Sequence, residues 1–182
     1  MGLLSLIRRG RYERVGFELY GAAVAAARDP FLYTALHVPD SLDGRFDMIG
    51  LYTFLLIQRL KREAAPGPAL AQAVFDAMFS DMDINLREMG VGDLSVGRKV
   101  RVMWEAFHGR AAAYAEAMNA SDLAALDAAL ERNVWRGKAP PDTAIQALRR
   151  LVLAQEVQLL SQKLDALAQG TVHFLSAAEA SR

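Results

Sequence analysis

The chain has 182 residues, of which 53% are hydrophobic and 23% are charged, a composition typical of one ordinary folded domain. It contains no cysteine, which excludes thiolate metal sites, iron–sulfur clusters, haem attachment through CxxC pairs and a cysteine nucleophile. Because 21 basic side chains balance 21 acidic ones, no global field draws the chain to nucleic acid or to anionic lipid.

Neither a membrane span nor a targeting segment is predicted. The longest apolar run in the first half of the chain covers residues 48–57, well short of the roughly 18 residues that a membrane span requires. At the N-terminus, MGLLSLIRRGRYERVG has a short apolar part that precedes its basic part, the reverse of a secretory signal. We therefore expect a protein that begins near Met1 with a basic tail, residues 1–11, and remains inside the cell.

Apolar residues recur at helical intervals, which predicts an all-α, single-domain bundle of about six or seven helices. The predicted helices cover residues 12–28, 45–62, 69–89, 96–119, a short segment capped by Ser121, residues 142–168 and a short C-terminal tail. Residues 31–38 have strand propensity but no partner strand, so we predict a loop packed on the core. Glycines end two of the helices, at Gly90 and at Gly170.

Three of these helices have informative faces. Residues 48–57 are apolar nearly all round, which predicts a helix buried between others. The helix over 142–168 carries two apolar stripes and is predicted to be long, buried and central. The helix over 96–119 has the clearest single stripe, predicted to face the core. Its members are Val100, Met103, Trp104, Phe107, Ala111, Tyr114 and Met118.

The segment GDLSVGRK, residues 92–99, differs by two letters from the phosphate-binding pattern G-x-x-x-x-G-K-[ST]. Gly92 and Gly97 have the required spacing, but Arg98 stands in place of the lysine and Lys99 in place of the hydroxyl that binds magnesium. The preceding segment is a predicted helix rather than a strand. We interpret GDLSVGRK as a helix–turn–helix connection with glycines at positive φ, which sets an acidic helix end beside a basic helix start.

One metal-binding pattern is incomplete. Glu105 and His108 form the Glu-x-x-His unit of di-iron bundles, a site that needs a second such unit. Neither His37 nor His173 has a glutamate three residues earlier, so an ion pair of Glu105 with Arg101 at i, i+4 is the simpler interpretation. A helical-bundle protein that binds metal through Glu105 and His108, or haem through one of the three histidines, remains the alternative hypothesis.

Three sequence blocks carry a resemblance to the ubiquinol-cytochrome c chaperone family. They are LYTALHVPDSLDGRFDMIGLYTFLLIQRLK at 32–61, VFDAMFSDMDINLREMGVGDLSVGRKVRVMWEAFHGRAAAYAEAM at 74–118 and ERNVWRG at 131–137. The similarity spans about residues 12–150 of a chain that we treat as one domain over residues 1–182. The middle block is long and specific.

The resemblance implies a helical assembly factor for the cytochrome bc1 complex, with no catalytic reaction and no cofactor, that binds newly made cytochrome b. The further partners that it implies are a small partner subunit, the ribosome or a second copy of the chain, with transient contact to a membrane surface and no specific nucleic acid. It places the protein in the bacterial cytoplasm, at the inner face of the inner membrane, or on the matrix side in a mitochondrion.

A chaperone for a membrane protein needs an apolar surface beside charges of both signs. Residues 48–57, with the basic residues 59–62 that follow them, are one candidate for that surface. The acidic-to-basic turn is the other, and its predicted contact residues are Asp81, Asp83, Asn85, Arg87, Glu88, Asp93, Arg98, Lys99 and Arg101. Arg45 and Asp47 are second-rank candidates, the alternative being a structural pair between them.

Overall fold

The computed structural model describes residues 3–136, 138 and 140–182, and of residues 3–9 and 11 it describes the backbone only. The described chain contains helices and no strand. In chain order they are α1 Leu3–Ala27, α2 Pro30–Thr34, α3 Leu42–Lys61, α4 Gly67–Glu88, α5 Asp93–Asn119, α6 Leu123–Leu130, α7 Asp142–Ser161, α8 Leu164–Leu167 and α9 Ala177–Ala180, with a π-helical turn Glu131–Trp135 after α6. The predicted all-α single domain is confirmed. The number of described helices exceeds the predicted six or seven because it includes three very short ones, α2, α8 and α9.

Helix α3 is the centre of the bundle. Between residues 48 and 60 every residue except Gly50 and Gln58 is buried, as is expected for a helix that is apolar on all sides. Helices α1, α4, α5 and α7 pack around it. The prediction that residues 48–57 are buried between other helices is therefore confirmed.

The start of α3 depends on close backbone packing. Ser41 caps the helix, its hydroxyl oxygen accepting a hydrogen bond from the Gly44 amide at 3.1 Å. A Cβ atom on Gly44 would lie 2.0 Å from the carbonyl oxygen of Pro39, a distance that no real contact allows. Glycine is thus required at position 44 by the turn that leads into the central helix.

Helix α7 is not the central helix that its two stripes predicted. On one stripe Leu148, Val152 and Leu159 are inaccessible to solvent. On the other stripe Val157 is 68% exposed and Leu160 46% exposed, because none of the described residues covers these two side chains. The helix also ends at Ser161 rather than near residue 168, and α8 follows as a separate turn.

Arg59 holds the C-terminal end of α7 against α3. Its side chain is 6% exposed, and its guanidinium donates from Nε to the Leu159 carbonyl at 2.9 Å and from Nη2 to the Gln162 carbonyl at 2.8 Å. The third nitrogen, Nη1, contacts the Glu63 carboxylate at 2.5 Å. A cation at the carboxyl end of a helix satisfies carbonyls that have no partner within the helix and complements the helix dipole.

Residues 171–176 form an extended segment, here named the C-terminal strap, that lies along α7. Gln155 pairs with the backbone of Leu175, donating to its carbonyl at 2.8 Å and accepting from its amide at 3.0 Å. Gln162 pairs in the same way with His173, both hydrogen bonds measuring 2.8 Å. Two glutamine side chains thus supply the hydrogen bonds that a neighbouring strand would give.

Several helix ends differ from the predicted ones. Helix α1 begins at Leu3 rather than at residue 12, so much of the predicted basic tail is helical, while residues 1 and 2 lie outside the described chain. The predicted loop after residue 30 contains the short helix α2, because Asp29 caps it and Pro30 begins it. Asp122, not Ser121, caps α6. The predicted left-handed helix end at Gly90 is confirmed, with φ of 81°. Gly170 is also left-handed, with φ of 86°, but it follows the short helix α8 rather than the long helix that it was predicted to end.

Candidate functional site

The predicted charged turn is the hairpin between α4 and α5. Its left-handed residue is Gly90; Gly92 is extended, with φ −63°, and Gly97 lies inside α5. The prediction that Gly92 and Gly97 form the hinge is therefore wrong, because α5 starts at Asp93, where an acidic side chain in the first turn favours helix formation. GDLSVGRK consequently forms the beginning of a helix rather than a phosphate loop.

Arg87 joins the two arms of the hairpin through an ion pair. Arg87, in the last turn of α4, contacts Asp83 at 2.5 Å and reaches Asp93 in the first turn of α5. These contacts raise the pKa of Arg87, the hydrogen bond with Asp83 being the main cause. Asp81 accepts a hydrogen bond from the Tyr20 hydroxyl at 2.7 Å, which ties α4 to α1. Burial and this contact with Asp81 both raise the pKa of Tyr20.

The nine predicted contact residues therefore fall into two groups. Six take part in contacts within the protein: Asp81, Asp83, Asn85, Arg87, Asp93 and Arg101. The others, Glu88, Arg98 and Lys99, are exposed and make no side-chain ion pair or hydrogen bond within the described residues. Their charges are accordingly the ones that no contact within the described residues compensates.

The tip of the hairpin also exposes apolar side chains. Leu94 is fully exposed, at 101%, Met89 is 53% exposed and Ile84 is 50% exposed. Leu94 precedes Arg98 by four residues, so the two lie on the same face of α5. The hairpin tip, defined by Ile84, Met89, Leu94, Arg98 and Lys99, thus combines apolar and basic groups.

A second and larger surface is an open groove of about 900 Å³ between the end of α3, the start of α4 and the second half of α5. Phe54, Ile57 and Lys61 line it from α3. Most of residues 48–57 lies in the core, so this helix contributes only an edge to the exposed surface. From α5 it is lined by Trp104, which is 45% exposed. The prediction that the whole α5 stripe faces the core is wrong at this position, since α3 and α4 cover α5 only in part.

The groove changes in character along its length. One end is aromatic, with Phe75 and Phe107 at 5.9 Å between ring centroids and Trp104 and His108 at 4.1 Å. The opposite end carries Lys61 and Arg62. The wall between them consists of short side chains, Ala71, Ala111, Ala112 and Ala115. No acidic side chain is among the described residues that line the groove.

The alternative metal or haem site is not favoured. Glu105 accepts a hydrogen bond from Arg101 at 3.0 Å, the i, i+4 pair that was the simpler interpretation. His108 lies in the aromatic end of the groove, and His37 and His173 stand apart from it, His173 in the C-terminal strap. Within the described parts of the chain, no three His, Asp or Glu side chains are grouped so that they could hold a metal ion.

Asp47, a second-rank candidate, is the centre of a buried ionic cluster. Its side chain is 1% exposed and accepts hydrogen bonds from Arg136 at 2.8 and 2.9 Å, while Arg110 lies 2.5 Å away. Burial raises the pKa of Asp47, and the two arginines counter part of that rise. Arg45 is exposed and pairs with Asp40 at 2.6 Å, so the structural pair between Arg45 and Asp47 is not formed.

This cluster joins all three sequence blocks, since Arg110 lies in the second one. Asp47 belongs to the first block, and Arg136, 89 residues away, belongs to the third. Beside it the indole of Trp135 donates to the backbone carbonyls of Leu36 and His37, at 3.3 and 3.1 Å. The residues that make these blocks recognisable therefore hold the fold together at this point.

The fold and the groove together define a helical protein built around an open apolar surface with a basic end. The family model described as ubiquinol-cytochrome C chaperone matches residues 34–174, more than half of the chain, and the protein belongs to that family. The family resemblance seen in the sequence is thereby confirmed. Across residues 3–136, 138 and 140–182, no helix has both the length and the apolar composition needed to span a bilayer.

Two individual proteins are similar to this chain. The crystal structure of the Cbp3 homolog from Brucella abortus superposes with a TM-score of 0.82 and 35% identity, covering 98% of this chain and 99% of that one. Ubiquinol-cytochrome-c reductase complex assembly factor 1 of Xenopus laevis is 27% identical over 123 residues, 68% of this chain. The match covers 60% of the length of the Xenopus protein.

Proposed function

We propose that this protein is a non-catalytic assembly chaperone for the cytochrome bc1 complex, and that it binds newly made cytochrome b before or during its incorporation. Membership of the chaperone family supports a role in assembly of the complex. The open groove is the observation that supports binding of an apolar client. A membrane subunit without its partners exposes apolar helices whose contact with water is unfavourable. An apolar groove on a folded domain can cover part of that surface until assembly does so.

Two surfaces have separate roles in this proposal. The groove contacts apolar helices, and the hairpin tip contacts charged loops of the same client. Of the nine contact residues predicted from sequence, Glu88, Arg98 and Lys99 come first, because their charges are not engaged within the described protein. The remaining six, together with Arg45, act by shaping the hairpin and the surface near it.

The proposed place of action is a membrane surface, on the cytoplasmic side in a bacterium or the matrix side in a mitochondrion. The basic groups of the hairpin tip are suited to transient contact with anionic headgroups. A small partner subunit, the ribosome or a second copy of the chain are further proposed partners. Flotation of the purified protein with vesicles containing anionic lipid, compared with neutral vesicles, measures the membrane contact directly.

A pull-down from membranes that make cytochrome b tests the function. The wild type is expected to retain cytochrome b, and Arg98→Glu/Lys99→Glu to retain less, because the reversed charges repel the acidic groups that they are proposed to bind. Lys138→Glu/Lys163→Glu is the matched control, with the same change in charge at exposed sites away from both surfaces.

The outcomes separate the two parts of the proposal. If the wild type retains no cytochrome b, the chaperone assignment is wrong. If both double variants retain it as well as the wild type does, the function stands and the hairpin tip is not the contact. Far-ultraviolet circular dichroism of each variant shows that a loss of binding is not a loss of folding.

A further inference from the structure

We propose that the groove binds one α-helix of the client, an apolar helix of about four turns that carries a carboxylate at the end lying beside Lys61 and Arg62. This inference rests on the proposed chaperone function, because the helix is taken to belong to the client. It specifies what kind of segment the groove selects. The occupant is defined by the length, the wall and the charge of the groove.

The length of the groove sets the length of the helix. Helix α5 lines it from Trp104 to Asn119, and at 1.5 Å per residue this wall is about 22 Å long, or about four helical turns. The walls from α3 and α4 run along the same stretch, since Phe75 contacts Phe107 near one end and Lys61 and Pro68 line the other. A straight rod-like segment fits this shape better than a compact ligand does.

The wall suits close approach of a helix. Ala111 and Ala115 are one turn apart on α5, and Ala71 lines the groove from α4. Short side chains at such positions let two helix backbones pack closely, which is how apolar helices associate in membranes. At the aromatic end, the half-exposed ring of Trp104 provides contact area for a bulky apolar side chain of the occupant.

The basic groups at one end of the groove determine which charge the bound helix should carry there. Lys61 and Arg62 line the groove, and no described acidic side chain does. Arg62 contacts Glu156 at 2.8 Å, but Lys61 has no described ion pair. The N-terminus of α4, capped by Pro66 without a side-chain hydrogen bond, adds its positive dipole end at the same place. A carboxylate is therefore favoured there, and a lysine or arginine is opposed.

Two synthetic peptides test this directly. Both are 16-residue helical peptides of leucine and alanine, one with two glutamates at its C-terminal end and the other with two lysines. Trp104 reports binding through its fluorescence, because it is half exposed in the groove while Trp135 is 2% exposed. The Trp104→Phe variant identifies which tryptophan gives the signal. A further peptide with the glutamates at the N-terminal end tests the orientation.

The glutamate peptide is expected to bind about five- to tenfold more tightly than the lysine peptide, the range given by one or two exposed ion pairs. Lys61→Glu/Arg62→Glu should reverse that preference. Ala112→Phe fills the groove from an exposed position and should abolish binding of both peptides without loss of folding. Equal affinities for the two peptides, or binding unaffected by Ala112→Phe, would overturn the inference.

Two further results distinguish this inference from the proposed function. If the wild type retains cytochrome b in the pull-down but binds neither peptide, the inference is wrong and the function stands. If the peptides bind as expected and cytochrome b is not retained, the function is wrong and the chemistry of the groove stands. Sedimentation of the protein alone tests whether a second copy of the chain occupies the groove. A dimer that Ala112→Phe dissociates would mean that it does, and would overturn the inference.

Discussion

Replacing Arg59 with methionine removes the guanidinium that joins α7 to the central helix, while keeping an apolar side chain of similar length. Two carbonyl oxygens, those of Leu159 and Gln162, then lose a charged donor at a site where Arg59 is only 6% exposed. Water cannot readily replace that donor. The salt bridge to Glu63 is also lost, but this carboxylate is 34% exposed and can be hydrated.

The expected loss of stability follows from these contacts. A hydrogen bond to a charged group contributes about 1.5–3 kcal/mol, so two of them give about 3–6 kcal/mol before any compensation. Removing a buried charge recovers part of its desolvation cost, which brings the expected loss to about 3–4 kcal/mol. For a domain of this size, that corresponds to a decrease in Tm of about 10 °C.

Urea unfolding followed by circular dichroism measures this loss, provided that the dependence of the free energy on urea is unchanged. Arg62→Met is the matched control, because Arg62 lies three residues further on, is 39% exposed and, among the described residues, pairs only with Glu156. We expect this control to lose less than about 1 kcal/mol. If Arg59→Met loses no more than Arg62→Met, Arg59 does not hold α7 and the reasoning is wrong.

Three further predictions concern residues that shape the fold. Gly44→Ala should lower the free energy of unfolding, measured in urea, by about 1–3 kcal/mol or more, because its Cβ would overlap the Pro39 carbonyl. Gly97→Ala is the control: the space around this position inside α5 is open, so the free energy of unfolding should rise by about 0.5–1 kcal/mol. Asp47→Asn should lower the free energy of unfolding by about 3 kcal/mol in the same measurement, since it removes the charge that pairs with two arginines. Gln155→Glu places a carboxyl group at a fully buried site, where burial raises its pKa and favours the protonated form in the folded state. The unfolded chain ionises this group above about pH 4.3, so the urea midpoint of the variant should fall relative to that of the wild type as the pH rises above this value. A pH-independent difference would contradict this last prediction.

Local patterns in the sequence predicted the helices well, because they depend on neighbouring residues. The apolar run 48–57 predicted a buried helix, and Gly90 predicted a left-handed helix end. The groove could not be predicted in the same way. Trp104 belongs to an apolar stripe whether that stripe faces a packed core or an open space between helices, and only the spacing of α3, α4 and α5 decides between them.

Contacts between distant residues explain the other differences. Asp47 was a candidate contact residue because it is charged, but the arginines that bury it lie far along the chain. The i, i+4 spacing of Asp83 and Arg87 could have indicated one of the pairs of Arg87, but its contact with Asp93 across the turn depends on how the two helices meet. Charge patterns in the sequence identified the hairpin, and the structure was needed to separate charges that hold it together from charges available to a partner.

The C-terminal strap has a consequence for the order of folding. Its backbone at His173 and Leu175 is held by four hydrogen bonds from only two side chains, and those side chains come into position only after α7 has formed and docked. We therefore expect the strap to join the native structure late and to detach as a unit while the helical core stays intact. Hydrogen exchange at these two amides would measure that detachment, in contrast to the slower exchange expected of the backbone of α3.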